Sequence, residues 1–296
     1  MKELVVISGK GGTGKTSLTA AFAALSQNRV MCDADVDAAD LHLLMAPTLI
    51  SRTDFKGGYK AIINPDACTD CGRCRELCRF DAVNDNFSID PIACEGCGVC
   101  VDFCPEKAID FPQQTCGEWY LSQTRFGPMV HARMGIAEET SGRLVSLIRQ
   151  EARTYAESHG HDLIITDGPP GVGCPVIASL SGATALCIVT EPTVSGLHDM
   201  ERVVRLAAHF RVPGMVIINK YDLNLDMATA IETLSIERNI QILGRVPFDP
   251  VFTKAMIQGK NLVEYDRASA LCQTIREIWE RIITSTAMNS KKINLL

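Results

Sequence analysis

No stretch of this 296-residue sequence approaches the roughly twenty consecutive apolar residues that a membrane-spanning helix needs, so stable membrane insertion is not expected. Nor is there an excess of positive charge. Against 35 aspartates and glutamates stand 29 lysines and arginines, a net charge of −6 with a pI near 5.6, which argues against a general nucleic-acid-binding face. No low-complexity tract breaks the chain, and no apolar targeting segment opens it. Thirteen cysteines without such a segment point to a reducing, cytoplasmic setting rather than a disulfide scaffold. The length exceeds one average domain and leaves room for a principal domain with a small insert.

Eight of the cysteines fall in two tight runs. The first is Cys68-x2-Cys71-x2-Cys74-x3-Cys78, the second Cys94-x2-Cys97-x2-Cys100-x3-Cys104 followed by Pro105. This is the bacterial ferredoxin run written twice, in which each run gives three thiolates to one [4Fe–4S] cluster and its fourth to the other. One cluster would then take Cys68, Cys71, Cys74 and Cys104, the other Cys94, Cys97, Cys100 and Cys78. Zinc is the competing reading, but it wants four-ligand sets, often with histidine, and the cysteine-rich segment supplies none. The runs differ in one respect: Arg79 stands where the second run has Pro105, which alters the turn and the local field but not the ligation. The duplicated run is the sole internal repeat.

The amino-terminal segment carries different chemistry. Leu4-Val5-Val6-Ile7 reads as a buried parallel strand. It feeds Gly9-Lys10-Gly11-Gly12-Thr13-Gly14-Lys15-Thr16, with Ser17 next, and then a helical stretch over 16–25. The string fits G-x-x-x-x-G-K-[ST] in the strand–loop–helix context of a phosphate loop. Its glycines turn backbone N–H groups inward around phosphates, and the helix adds its positive end. Lys15 is expected to reach the β- and γ-phosphates, and Thr16 to coordinate Mg²⁺.

The second lysine, Lys10, narrows the class. Lys-Gly-Gly-Thr-Gly-Lys-Thr resembles the deviant P-loop of the MinD/ParA/Mrp superfamily, and further similar segments follow in order: Asp33-Ala-Asp35 after a strand, Asp167-Gly168-Pro-Pro-Gly171 after another, then Thr190-Glu191-Pro192-Thr193 and Val246-Pro247-Phe248-Asp249. The resemblance implies an ATP/ADP-binding, ATP-hydrolysing protein in which Lys10 reaches a partner's nucleotide across a dimer interface. It also implies that Asp35 positions the attacking water, that Asp33 lies near the Mg²⁺ shell, and that Asp167 holds a Mg²⁺-bound water. Gly168 and Gly171 would permit γ-phosphate sensing, and the Pro247–Asp249 segment would pack against the base. Asp37 and Asp40 read more simply as helix N-terminal charge.

Asn219-Lys220-Tyr221-Asp222 leaves the base open. Spelled N-K-x-D, it reads guanine in GTPases, where the aspartate accepts from N1–H and the 2-amino group together. Asn219 alone can hold adenine, accepting from the 6-amino group. The resemblance favours ATP, with a GTP-specific protein as the alternative.

The fold class expected is α/β, a mostly parallel sheet with helices on both faces, carrying an inserted ferredoxin-like α+β domain. Residues 1–60 and 113–296 would form the P-loop ATPase domain and 61–112 the insert with two [4Fe–4S] clusters. Within 1–60 the patterning predicts two strands and two helices. Short strands are expected near Ile62-Ile63 and Ile109-Asp110, with two returning strands at 119–121 and 129–131, a helix over 141–158 and a last helix over 267–284. The stripe Leu271, Ile275, Ile278 and Ile282 on that helix reads as core-facing rather than membrane-binding. Cys32 and Cys187 read as small buried apolar groups, Cys174 as a thiol on the switch II loop, and His198 as a structural residue at a helix start.

Two functions follow from the combination. In one, a nucleotide-dependent dimer couples ATP state to the clusters and gates electron transfer to a partner. In the other, ATP drives a switch or iron–sulfur carrier whose clusters sense redox state. The partners expected are a second copy or a paralogous ATPase, and an unidentified redox or regulatory protein.

Overall fold

The computed structural model describes residues 1–135 and 140–289, and the chain divides into two compact units. The first comprises Met1–Arg52, Trp119–Arg133 and the chain from Ser141; the second comprises Thr53–Glu118 and a segment from Met134. Residues 61–112 lie inside the second unit.

The chain opens with β1 (Lys2–Ile7), α1 (Lys15–Leu25), β2 (Arg29–Asp33), α2 (Leu41–Met45) and β3 (Thr48–Tyr59). The second unit adds β4 (Ile62–Ile63), α3 (Arg73–Leu77), α4 (Val99–Asp102) and β5 (Ile109–Asp110). Then come β6 (Gln113–Thr124), β7 (Gly127–Met134), α5 (Ser141–Ser158), β8 (Leu163–Asp167), α6 (Cys174–Leu180), β9 (Ala185–Thr190), α7 (Val194–His209) and β10 (Gly214–Asn219). A 3₁₀ turn at Tyr221–Leu223 precedes α8 (Leu225–Glu237), β11 (Gln241–Val246), α9 (Val251–Ile257), α10 (Leu262–Tyr265), α11 (Ala270–Thr284) and α12 (Thr286–Asn289).

Nine strands form one sheet in the order β11-β10-β9-β1-β8-β2-β7-β6-β3, and every pair from β11 to β7 is parallel. The apolar run of β1 explains why its centre is covered twice. Leu4 and Val6 point into a core shared with α1 and α11, while Val5 and Ile7 point into a second core shared with α6, α7 and α8. All four are fully buried, as period-two alternation in a strand between two helix layers requires. The carboxyl-terminal stripe behaves as expected: Leu271, Ile275, Ile278 and Ile282 are buried, and Trp279 stacks on Phe22 at 5.4 Å. The tail, 290–296, lies outside the described residues. Among the described residues no helix is long and apolar enough to cross a membrane.

Three expectations need correction. Residues 1–60 hold a third strand, β3, whose first seven residues are exposed and carry no apolar alternation to betray it. The returning strands are longer than 119–121 and 129–131, and only Arg125 and Phe126 separate β6 from β7. His198 lies in the second turn of α7 rather than at its start, with its side chain 68 % exposed and Nδ1 3.5 Å from Asp199 Oδ1.

A buried ionic knot ties β1 to α5. Glu3, 3 % exposed, accepts from Arg149 Nε at 2.7 Å and Nη2 at 2.8 Å, from Arg153 at 3.0 Å and from Thr166 Oγ1 at 3.0 Å. Arg149 also donates to the carbonyls of Ala178 and Ser181, which fastens α6. Removing one member of such a pair leaves the other charge buried and uncompensated. Glu3→Ala is therefore expected to cost about 3–5 kcal/mol, read as a lower urea midpoint at unchanged slope.

In the second unit, β4 and β5 pair antiparallel, Ile62 with Asp110 and Ile63 with Ile109. Around the cysteines Ala61, Ala82, Cys94 and Ile109 form a buried apolar cluster, with Cys74, Cys78, Cys100 and Cys104 among the residues packed against it.

Candidate functional site

The parallel ladder brings the chemistry of the first unit to one edge. β9, β1, β8 and β2 are neighbours, and Asp33 and Asp167 sit opposite one another at the carboxyl ends of β2 and β8. The loop after β1 leaves the same carboxyl end, beside β8, where open α/β sheets bind ligands. Gly12 (φ +78°) and Gly14 (φ +90°) hold left-handed conformations in that loop, and a Cβ on Gly14 would strike the Asn219 amide.

Lys15 opens α1 and is 6 % exposed. Its ammonium lies 3.0 Å from Asp167 Oδ1 and 3.3 Å from Asp35 Oδ2. Thr16 Oγ1 donates to Asp167 Oδ2 at 2.8 Å and Thr19 Oγ1 to Asp167 Oδ1 at 2.9 Å. Asp33 is fully buried and accepts from the backbone of Asp35 at 3.2 Å and of Leu41 at 3.3 Å. Burial, and then the neighbouring Asp167, push the Asp33 carboxyl well above the ordinary range despite Lys15. Asp35 is raised by burial, with Lys15 opposing and Asp167 adding. Burial alone would lower Lys15; Asp167, Asp35 and Asp33 together outweigh it, and its net shift is upward. One ammonium thus faces three crowded carboxyl groups and offsets only part of their charge, an arrangement with acid to spare for a divalent cation once the lysine turns elsewhere.

Lys10 lies on the outer side of the loop. Its ammonium meets Glu191 Oε1 at 2.6 Å, Thr193 Oγ1 at 3.3 Å and Ser195 Oγ at 3.1 Å. Lys220 meets the other oxygen of Glu191 at 3.1 Å and donates to the Gly12 carbonyl at 2.9 Å. Asn219 Nδ2 donates to the Thr13 carbonyl at 2.6 Å, while Asn219 Oδ1 and Thr13 Oγ1 are buried without a partner. Asp222 Oδ1 accepts from the Phe248 backbone at 2.7 Å, and Asp249 Oδ1 accepts from Val251 N at 2.8 Å at the start of α9. Pro247 stands between β11 and these contacts. Ser17 Oγ donates to Met256 Sδ at 3.5 Å, and Gly9 packs so closely on Asp199 that a Cβ there would collide with it. A Cβ on Gly11 would meet nothing within 4 Å.

The eight cysteines of the two runs line two cavities. One is walled by Cys68, Cys71, Cys74 and Cys104; the other by Cys78, Cys94, Cys97 and Cys100. The backbone of the two runs repeats itself: Gly72 and Gly98 share φ +77°, ψ −8° at the starts of α3 and α4. Ala82 N–H points at Cys78 Sγ at 3.4 Å, and Ala108 N–H at Cys104 Sγ at 3.3 Å. Burial, then the neighbouring Cys94 and Cys97, push the Cys100 thiol up to about 11. Among the described residues no three His, Cys, Asp or Glu side chains converge on a single metal-ion position. The sulfurs stand around the cavity walls instead.

Of the remaining cysteines, Cys32, Cys116, Cys187 and Cys272 are buried, and Cys174 is exposed as the first residue of α6. Sequence reasoning missed Thr19, whose helical spacing of four from Lys15 aims it at Asp167, and gave Glu191 no role beyond lining the cleft.

The model of the CobQ/CobB/MinD/ParA nucleotide-binding domain family matches residues 4–263. An uncharacterised protein of Methanocaldococcus jannaschii is 33 % identical, over 95 % of this chain and 96 % of its own. The septum site-determining protein MinD of Buchnera aphidicola is 24 % identical, over 88 % of this chain and 83 % of its own. Among solved structures, Pyrococcus horikoshii MinD complexed with Mg-ADP superposes with a TM-score of 0.59 at 17 % identity, covering 99 % of both chains.

Proposed function

This chain belongs to the CobQ/CobB/MinD/ParA family of nucleotide-binding domains, and on that premise we propose that it is an ATP-hydrolysing iron–sulfur protein whose nucleotide-dependent dimer gates electron transfer from two [4Fe–4S] clusters. One observation carries the reading beyond the family. The cysteines sort into two cavities, each holding three from one run and the fourth from the other. A cubane needs four thiolates at four corners, so ligands spread around a wall suit it better than ligands converging on one ion. The paired N–H···S contacts give one sulfur of each cavity, Cys78 and Cys104, a backbone donor in the same position.

At the nucleotide site, Gly9–Ser17 would wrap the phosphates, with Lys15 turning from Asp167 and Asp35 to the β- and γ-phosphates. Thr16, Asp167 and Asp33 would hold Mg²⁺, which supplies charge neutralisation there. Asp35, freed of Lys15, would orient the attacking water. Asn219 Oδ1, buried and unpartnered, is suited to accept from the adenine amino group. Guanine needs both oxygens of an aspartate, and one oxygen of Asp222 is engaged by Phe248; ATP is the favoured nucleotide. The ferredoxin-like insert, residues 61–112, is proposed to hold the clusters, and four thiolates per cluster favour electron transfer over cluster delivery.

Anaerobically purified protein is expected to contain about eight irons and about eight acid-labile sulfides per chain. Stoichiometric zinc with no labile sulfide would overturn the iron–sulfur half and leave a nucleotide-binding protein with two structural metal sites.

A further inference from the structure

Lys10 is fully occupied within its own chain. An ammonium has three hydrogens, and three acceptors surround this one: Glu191 Oε1 at 2.6 Å, Ser195 Oγ at 3.1 Å and Thr193 Oγ1 at 3.3 Å. None of the three is free to drift. Thr193 is the N-cap of α7, its hydroxyl accepting from Gly196 N at 2.9 Å, and Ser195 Oγ lies 3.2 Å from Thr193 Oγ1. Glu191 is pinned from its other side by Lys220, which in turn grips the phosphate-loop carbonyl of Gly12. The carboxylate is 15 % exposed and Lys10 32 %, so the pair is shielded more than an ordinary surface ion pair. Burial alone would raise the Glu191 carboxyl; the hydrogen bonds from Lys10 and Lys220 outweigh it and hold the group ionised.

A lysine with every hydrogen engaged in its own chain cannot serve a second molecule until those bonds open. We infer that Glu191 is a latch that retains Lys10 and thereby sets the threshold at which two copies of this chain close around nucleotide. Glu191 is a positioning residue here, acting through Lys10 and touching no reacting atom. The inference rests on the proposal above that Lys10 reaches a partner's nucleotide. Each dimer opens two latches. At the strength of a partly exposed ion pair, roughly threefold in equilibrium constant each, the two together amount to about tenfold.

Self-association of the full anaerobic chain with Mg²⁺ and adenylyl imidodiphosphate, followed by sedimentation velocity, reads the effect. Glu191→Gln keeps the shape and removes the charge, and should tighten the dimer about tenfold. Ser195→Ala removes one weaker acceptor and should tighten it about twofold, which guards against a folding defect in the first variant. Lys10→Ala should weaken the dimer, and Lys10→Ala/Glu191→Gln should show no gain over Lys10→Ala, because the latch has nothing left to hold. The protein concentration giving half-maximal ATPase rate should fall in Glu191→Gln in step with the dimer constant, a shift that loss of packing would not produce. If wild type dimerises through Lys10 and Glu191→Gln dimerises no more tightly, the latch is wrong while the dimer reading stands. If Lys10→Ala dimerises like wild type, the reading of Lys10 fails and the latch falls with it.

Discussion

Lys15→Ala should abolish nucleotide turnover. The side chain is, among the described residues, the cation set against Asp33, Asp35 and Asp167, and it sits at the start of α1 where the phosphates of a bound nucleotide would enter. Removing it takes away the main counter-charge for the γ-phosphate and leaves three crowded carboxyl groups facing an anion. A fall in kcat of at least about 10² is expected. Binding should fail as well: displacement of a fluorescent ATP analogue, efficient with ATP and poor with GTP in wild type, should be lost. Thermal melting with and without ADP separates this from misfolding. Wild type should gain stability with ADP by mass action, and the variant should melt cooperatively at a temperature that ADP does not change. Turnover within a few-fold of wild type would remove Lys15 from the site.

The second large effect is a pattern across cysteine variants. Cys71→Ser and Cys104→Ser strike the same cavity although thirty-three positions apart, whereas Cys71→Ser and Cys97→Ser strike different ones. Each single variant should fall from about eight irons to about four. The Cys71→Ser/Cys104→Ser double should stay near four, and the Cys71→Ser/Cys97→Ser double should approach none. Non-additivity of the first pair and additivity of the second is what shared and separate sites require. Were Cys104→Ser to deplete the same iron as Cys97→Ser, each run would be holding its own cluster and the crosswise assignment would be lost.

Much of this was legible in the chain. Period-two and continuous apolar runs marked the parallel strands: β8 begins and ends where Leu163-Ile-Ile-Thr-Asp167 predicts, and α5 spans 141–158 as patterned. Such elements announce themselves because burial on both faces, or along one helical face, leaves a periodic trace. β3 left none, being an edge strand with mostly exposed side chains and two glycines. Its pairing is decided by the neighbouring strand, not by its own residues.

The site divides the same way. Residue spacing named the phosphate loop and the two cysteine runs, because each motif is local and its chemistry demands fixed intervals, while the family resemblance singled out Lys10 and the aspartates closing β2 and β8. Tertiary structure alone decided what those groups do to one another. Asp33 and Asp167 lie 134 positions apart, yet strand order sets them opposite and crowds them around Lys15. Asp222, which the motif allowed to read guanine, instead accepts from the backbone of Phe248. Glu191, one polar residue in a loop, becomes the anchor of both Lys10 and Lys220 because β9 lies beside β1 on one side and β10 on the other. Local sequence sets which chemistry a residue carries; the order of strands in the sheet sets which chemistry it meets.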